Sequence, residues 1–278
     1  MPESAKRVPT LDHRAMELLK NAMQTTMEQE VALSLDLGIS TCIVRAIPSQ
    51  NVFQLPSGEI IPWFGEVPIK RVAYIILDKK ILPMEWFEED TNLYYRLVPT
   101  SNRPILRISA TPMHKKPFLD FIERLRPKGH VLDAGTGLGY SAVIASRTAE
   151  HVLTIEWDRH VLDIASYNPW SRELFDNKNV ELRNADVTKE ILSLETSQFD
   201  LIIHDGGTPK SSGEFFSKKH AEQLFRVLTR GGSLNFYLPR HGIHRGRDFA
   251  AGQISRLLSS GFKASFISQE GSFAVFKK

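Results

Sequence analysis

The sequence predicts an α/β protein: a doubly wound, mostly parallel sheet of seven strands, preceded by a smaller β-rich N-terminal domain. Three observations carry this expectation. From about residue 118 onward, short apolar runs rich in β-formers alternate with stretches whose apolar residues recur at three and four, the pattern of strands joined by helices. Between residues 31 and 109 the texture differs, with short β-branched and aromatic runs cut by Pro, Gly and Asn. Finally, in Val131-Leu-Asp-Ala-Gly-Thr-Gly-Leu-Gly-Tyr140 an apolar run ends in Asp133 and is followed by Gly135, Gly137 and Gly139. Glycines placed directly after a buried strand let the backbone turn tightly and approach a ligand.

Taken in order, residues 1–30 read as a helical arm, because Leu11, Ala15, Leu18, Leu19, Ala22 and Met23 give Leu11 to Glu30 one apolar face. Residues 31–110 read as the small β domain, with strands at Val31 to Leu37, Thr41 to Ile47, Val52 to Leu55, Val72 to Leu77 and Leu93 to Val98. Pro99, Pro104 and Pro112 mark the passage to the main domain, residues 111–278. There, Phe118, Phe121, Ile122 and Leu125 stripe a helix that ends at Pro127-Lys-Gly129. Strands are expected at Val131 to Asp133, Val152 to Glu156, Val180 to Arg183, Phe199 to Asp205 and Ser233 to Leu238, with helices at Tyr140 to Arg147, from Asp158, at Phe215 to Arg230 capped near Gly231, and at Asp248 to Ser260. Phe262 to Ser268 and Ser272 to Phe276, joined by Gln269-Glu-Gly271, form a closing hairpin that must be antiparallel.

Composition narrows the function. Lys+Arg 35 against Asp+Glu 32 leaves +3, so any nucleic-acid surface must be a local patch. The single cysteine, Cys42, excludes an intrachain disulfide and a multi-cysteine zinc site, and no metal is expected. No run approaches about 18 apolar residues, and the start MPESAKRVPT lacks the apolar core of a secretory signal. The expectation is a soluble, cytoplasmic protein with no membrane contact. Its oligomeric state is left open, a homodimer being compatible.

The spacing Gly135-x-Gly137-x-Gly139, with Asp133 ahead of it, resembles motif I of the class I S-adenosylmethionine (SAM)-dependent methyltransferases, whose domain is Rossmann-like. The resemblance implies SAM as cofactor and S-adenosylhomocysteine as product. It also implies cofactor contacts from Asp133, Gly135, Thr136, Gly137, Gly139 and Tyr140. Ligands of such sheets bind at the carboxyl ends of the strands. There stand Glu156, suited to both ribose hydroxyls, and Trp157, suited to cover the adenine. Glu156 has the alternative reading of a charge at the next helix N-terminus. Asp186 sits where the family accepts the adenine amino group, or else caps the following turn. Asp205 and His204 end the fourth strand beside the expected methyl group; Asp205 is the candidate for holding the nucleophile, and His204 is either a proton acceptor or a packed residue that strand alternation turns away from Asp205.

Leu35-Asp-Leu-Gly-Ile-Ser40, Thr91-Asn-Leu-Tyr-Tyr-Arg-Leu-Val-Pro-Thr100, Met113-His114, the glycine loop, Asn168-Pro-Trp-Ser-Arg-Glu-Leu174, Ile203-His-Asp205 and Arg245-Gly-Arg-Asp248 together resemble a family of predicted archaeal methyltransferases over nearly the whole chain. Members of that family typically read Asp-Pro-Pro after the fourth strand, as do enzymes that methylate exocyclic amines of bases. This sequence has Asp205-Gly206-Gly207-Thr208 instead, and glycine restores the freedom that proline removes. An RNA acceptor, ribosomal or transfer RNA, is favoured by Arg240-His-Gly-Ile-His-Arg-Gly-Arg247 beyond the fifth strand. Within it Arg240, His244, Arg245 and Arg247 are candidate RNA contacts, with Tyr237 a stacking candidate; Trp157 and Trp170 are further stacking candidates, and Lys115, Lys116, Lys218 and Lys219 would extend the field. Two other functions compete. One is small-molecule methyl transfer or spermidine-synthase-like aminopropyl transfer, which lacks its second acid because no carboxylate follows Asp205 until Glu214. The other is a SAM- or RNA-binding module without transfer.

Overall fold

The computed structural model describes residues 4–65, 70–113, 116–205, 213–238, 249–268 and 273–278. The chain divides into two compact units, residues 2–114 with 163–172 and residues 115–162 with 173–278.

The first unit contains β1 (Thr10–Leu11), α1 (His13–Met23), β2 (Gln29–Leu33), β3 (Cys42–Ile47), β4 (Val52–Gln54), β5 (Ile60–Pro62), β6 (Tyr74–Leu77), β7 (Lys80–Pro83), β8 (Glu85–Glu88), β9 (Leu93–Val98), β10 (Ile105–Ile108) and β11 (Thr111–Pro112). Among the described residues they form three antiparallel sheets, ordered β2-β3-β4-β5, β1-β6-β7 and β11-β10-β9-β8. The helix expected over residues 11–30 is shorter, starting where the Asp12 carboxylate accepts from Ala15 N–H at 2.8 Å and ending at Met23. Gln29 is already in β2. Two adjacent threonines, Thr25 and Thr26, lie between them, and β-branched residues favour extended backbone. Nor does α1 stand apart as an arm. Its Ala15, Met16, Leu19 and Ala22 share a core with Val31, Val44, Phe53, Ile61 and Tyr74. Residues 163–172 join this unit through Lys6 N–H to Ser166 O at 2.7 Å and Trp170 Nε1–H to Leu37 O at 3.1 Å, so Trp170 is a structural tryptophan.

The second unit contains α2 (Lys116–Leu125), β12 (His130–Ala134), α3 (Tyr140–Ser146), β13 (His151–Glu156), the start of α4 (Arg159–Tyr167), α5 (Arg172–Asp176), β14 (Val180–Asn184), α6 (Val187–Glu190), β15 (Phe199–His204), α7 (Lys218–Val227), β16 (Leu228–Tyr237), α8 (Phe249–Ser259), β17 (Lys263–Ile267) and β18 (Phe273–Lys277). Among the described residues its sheet has seven strands in the order β14-β13-β12-β15-β16-β18-β17. It is parallel from β14 to β16, with β18 antiparallel to both neighbours, as the alternation and the closing hairpin predict. One face is sealed by Leu132, Leu153, Ile202, Leu234 and Phe236 packing on Leu224 and Val227 of α7 and Leu257 of α8.

One expectation is corrected here. Gly231 does not cap a helix over 215–230: α7 ends at Val227, Leu228 is extended, and Gly231 (φ 81°) lies inside β16. The register between β15 and β16 shifts between Phe199 and Leu201, so the glycine serves an irregular strand. The chain runs β12 to β14 in one direction and then β15 onward in the other. The sheet therefore reverses between β12 and β15, where crevices form at the carboxyl ends. Among the described residues no helix is long and apolar enough to cross a membrane, and no group of three or more His, Cys, Asp or Glu is arranged to hold a metal ion.

Candidate active site at the strand tips

The loop after β12 turns on three glycines with positive φ, Gly135 (103°), Gly137 (55°) and Gly139 (78°). A Cβ at Gly139 would stand 2.7 Å from Leu174 Cδ2, so both the conformation and the close packing demand glycine there. The N–H groups of Gly135 and Thr136 donate to Ile155 O at 3.1 and 3.2 Å, and Gly139 N–H donates to Thr136 O at 2.8 Å.

Glu156, buried at the tip of β13, clamps the loop. Its Oε2 accepts from Gly137 N–H at 2.9 Å and its Oε1 from Asp158 N–H at 3.0 Å. Burial pushes its carboxyl up to about 7 against those N–H bonds, with the charge of Asp158 adding to the push. Asp158 adds a second carboxylate at the start of α4, its Oδ1 accepting from His160 N–H at 2.9 Å. Asn184 Nδ2–H donates to the carbonyls of Glu156 at 2.7 Å and Trp157 at 3.2 Å, holding this tip in place. Trp157 itself is 59% exposed, a large indole left uncovered beside the loop.

Asp133 is fully buried, and Thr154 Oγ1–H donates to its Oδ2 at 2.7 Å. Thr154 has one hydroxyl proton, so in the 2.6 Å contact between the Thr136 and Thr154 hydroxyls Thr136 must be the donor. Thr136 therefore faces the neighbouring strand and positions Asp133 through Thr154. Asp133 Oδ1 has no hydrogen-bond partner. Burial raises this carboxyl to about 7 against hydrogen bonding from the Thr154 and Ser141 hydroxyls, and the charges of Asp205 and Glu156 push the same way as burial. A buried acid with an open acceptor oxygen, one strand over from an exposed indole, fits an elongated cofactor that carries a cation at one end and a flat ring at the other.

Asp205 follows β15, half-buried, with its N–H donating to Ala134 O at 3.2 Å. It stands next to the glycine-loop strand and close enough to raise the Asp133 carboxyl. Asp186 is the N-cap of α6: its Oδ1 accepts from Thr188 N–H at 3.0 Å and Thr188 Oγ1–H at 2.7 Å. Although burial pushes the other way, those bonds and Lys189 hold it below the usual carboxylate range. Tyr140 opens α3 and is buried; Tyr237 is half-buried with its ring edge-on to Phe118 at 6.4 Å.

His204 is corrected. Its ring is fully buried, 4.1 Å from Phe236 in a stack and 3.9 Å from Phe215, with neither nitrogen hydrogen-bonded. Burial, then the neighbouring His220 at 5.5 Å, drives it well below 6.5, and His220 itself falls to about 4 through burial. His204 is a neutral packing residue on the face opposite Asp133, not a proton acceptor. His204→Phe is expected to leave SAM binding unchanged and to raise the melting temperature most under mild acid. The unfolded chain protonates this imidazole below about pH 6.5 while the native one does not, so wild-type stability is lost as pH falls and the variant escapes that loss. Calorimetry against pH checks it; loss of SAM binding in a folded variant would restore a functional role.

Sequence reasoning missed Thr154, Asp158 and Asn184. Their signal was weak, a lone polar residue inside an apolar strand and two side chains flanking its tip. Gly206, Gly207, Thr208, Lys115, His114, Arg240, His244, Arg245, Arg247, Asp248 and the hairpin tip at Gln269 to Gly271 lie outside the described residues.

A family model described as protein-L-isoaspartate (D-aspartate) O-methyltransferase matches residues 81–217. An uncharacterised protein of Methanocaldococcus jannaschii is 29% identical over 273 residues, covering 92% of this chain and 91% of that protein. Among solved structures, the spermidine synthase of Thermotoga maritima is similar with a TM-score of 0.53, over 71% of this chain and 74% of its own, at 16% identity. A spermidine synthase in complex with the transition-state analogue AdoDATO gives 0.54, over 71% and 75%, also at 16% identity. These two likenesses are of fold. The glycine loop and its carboxylate clamp lie inside the stretch that the methyltransferase family model matches, and their arrangement suits SAM as cofactor.

Proposed function

We propose that this enzyme methylates a nucleophilic atom of RNA that is held at Asp205. The observation that carries the catalytic half is the placement of Asp205 at the switch point, one strand from the glycine loop and in electrostatic contact with Asp133. SAM, when bound, supplies an electrophilic methyl group on a sulfonium. Asp133 would take its ammonium on Oδ1, Glu156 its ribose hydroxyls, and Trp157 its adenine face. Asp205 accepts a hydrogen bond from the acceptor, aims its lone pair along the reacting axis and receives the proton the nucleophile must lose. RNA as acceptor is supported by the arginines and histidines of residues 240–247, which follow directly on β16 in the sequence.

The matched family model suggests a second acceptor, the carboxylate of an isoaspartyl peptide. Asp205 would repel such an acceptor, and a carboxylate has no proton to shed, so the RNA reading uses the site better. Aminopropyl transfer is disfavoured by the missing acid between Asp205 and Glu214.

The test is tritiated-methyl transfer from SAM to bulk RNA and to isoaspartyl peptide, with aminopropyl transfer to a polyamine assayed from decarboxylated SAM. Labelled RNA is expected. Asp205→Asn is expected to cut that transfer about 10²- to 10⁴-fold while SAM affinity changes far less. Label in peptide alone would overturn the acceptor, and undiminished transfer by the variant would overturn the role of Asp205.

A further inference from the structure

The sheet β11-β10-β9-β8 has one face that is buried, through Tyr95, Leu97 and Leu106, and one that is not. Across the second face runs the register row Glu85, Arg96, Arg107, Pro112. Arg96 and Arg107 are directly opposite each other on antiparallel strands, an arrangement that destabilises a sheet unless something neutralises it. Glu85 is the carboxylate in the row, and it already accepts from Lys70 Nζ and the Tyr94 hydroxyl. Among the described residues of this row, Lys70, Arg96 and Arg107 thus stand around one acid, Glu85. Both Arg96 Nε and Arg107 Nε are buried without a hydrogen-bond partner. Arg107 Nη2 donates to Ala110 O at 3.2 Å, and the Arg96 guanidinium carbon sits 5.4 Å from the Tyr94 ring centroid. Two forked guanidiniums on neighbouring strands, their Nε atoms buried and their terminal nitrogens toward the uncovered face, suit a tetrahedral oxyanion.

The adjoining row decides which oxyanion. Tyr94 is paired in register with Phe87, which is 53% exposed on the same face. Along β9, Tyr94 and Arg96 are two residues apart, about 7 Å, which is the reach from a nucleotide's base to its phosphate. An aromatic row one step from an arginine row serves stacking and phosphate contact together, and an acidic peptide would leave the aromatic row unused.

We propose that this face binds single-stranded RNA, with phosphates between Arg96 and Arg107 and a base on Phe87 and Tyr94. The proposal specifies where a substrate RNA is gripped in the N-terminal unit, and in that sense it rests on the RNA reading above.

A short mixed-sequence RNA carrying 4-thiouridine, crosslinked to the full-length wild-type chain, tests it without altering the fold. Crosslinked peptides are expected within residues 85–110. Binding by Arg96→Gln/Arg107→Gln should weaken at least about tenfold and lose about 1.4 from its log–log salt slope, ~0.7 for each phosphate contact. Titration of the same variant with S-adenosylhomocysteine should match wild type. Absence of RNA binding, crosslinks confined to residues 116–278, or an unchanged salt slope would overturn the proposal. RNA methylation with crosslinks only at residues 116–278 would sink this face alone; crosslinks at 85–110 without methylation would sink the acceptor assignment and leave the face standing.

Discussion

Asp133→Asn is expected to yield a protein that is more heat-stable above neutral pH and that binds SAM far more weakly. The wild-type carboxyl is fully buried with the Thr154 and Ser141 hydroxyls beside it, and burial still lifts it to about 7. A carboxyl raised in the folded state stabilises fully below its ordinary range near pH 4, and that stability is lost as pH rises through about 7, where a buried charge must form. Asparagine keeps the acceptor for Thr154 and never ionises. The gap between variant and wild type should therefore open from about pH 4 and be complete above about pH 7, with a melting temperature higher by about 2–4 °C for each kcal/mol recovered. Binding moves the other way: without a negative charge for the cofactor's ammonium, affinity should fall about 100-fold or more, ~2.7 kcal/mol. Calorimetric melting at about pH 8 and titration with S-adenosylhomocysteine measure both. Wild-type affinity in the variant would show that Asp133 does not face the cofactor.

The second large effect is pH dependence of cofactor binding in the wild-type enzyme. Asp133 and Glu156 both sit near 7 before the ligand arrives, and both serve it best ionised, one toward a cation and the other toward two hydroxyl donors. Binding must then expel protons, so affinity is expected to plateau above about pH 8 and to fall below about pH 7, by about tenfold per pH unit for each carboxyl that must ionise. Glu156→Gln should halve that slope and weaken binding at high pH, since Gln still accepts from one side but repels Gly137 N–H if its amide nitrogen faces the loop. Titrations in buffers of different ionisation enthalpy report the released protons directly. A flat profile between about pH 5.5 and 8 would remove both carboxyls from the cofactor site.

What the chain spelled out locally was legible. Period-2 and period-3.6 apolar patterns placed β9, β12, β13, β15 and α8 within a residue or two, and strand-tip logic brought Asp133, Glu156 and Asp205 to one rim. What depended on distant neighbours was not. His204 looked like chemistry because it precedes Asp205, yet its role was set by Phe215, Phe216 and Phe236, which no spacing rule connects to it. Thr136 looked like a ligand contact, and its hydroxyl turned out to be committed to Thr154 on the next strand. The helix over 215–230 failed because Leu228 to Arg230 are helix-compatible by type but are claimed by β16, where pairing with β15 outweighs propensity. Asp186 remained open between cap and ligand on sequence, and its short bonds to Thr188 show the cap.

The decapeptide at 163–172 has a consequence for how such a chain can be taken apart. It clusters with residues 2–114 although it is encoded between two strands of the other unit, and it donates an indole N–H to Leu37 and accepts an amide from Lys6. A fragment begun after the third sheet would carry this loop away from the groups that anchor it, stranding a tryptophan in water. Neither part is thus one continuous stretch of chain, and neither is a cassette that recombination could release intact.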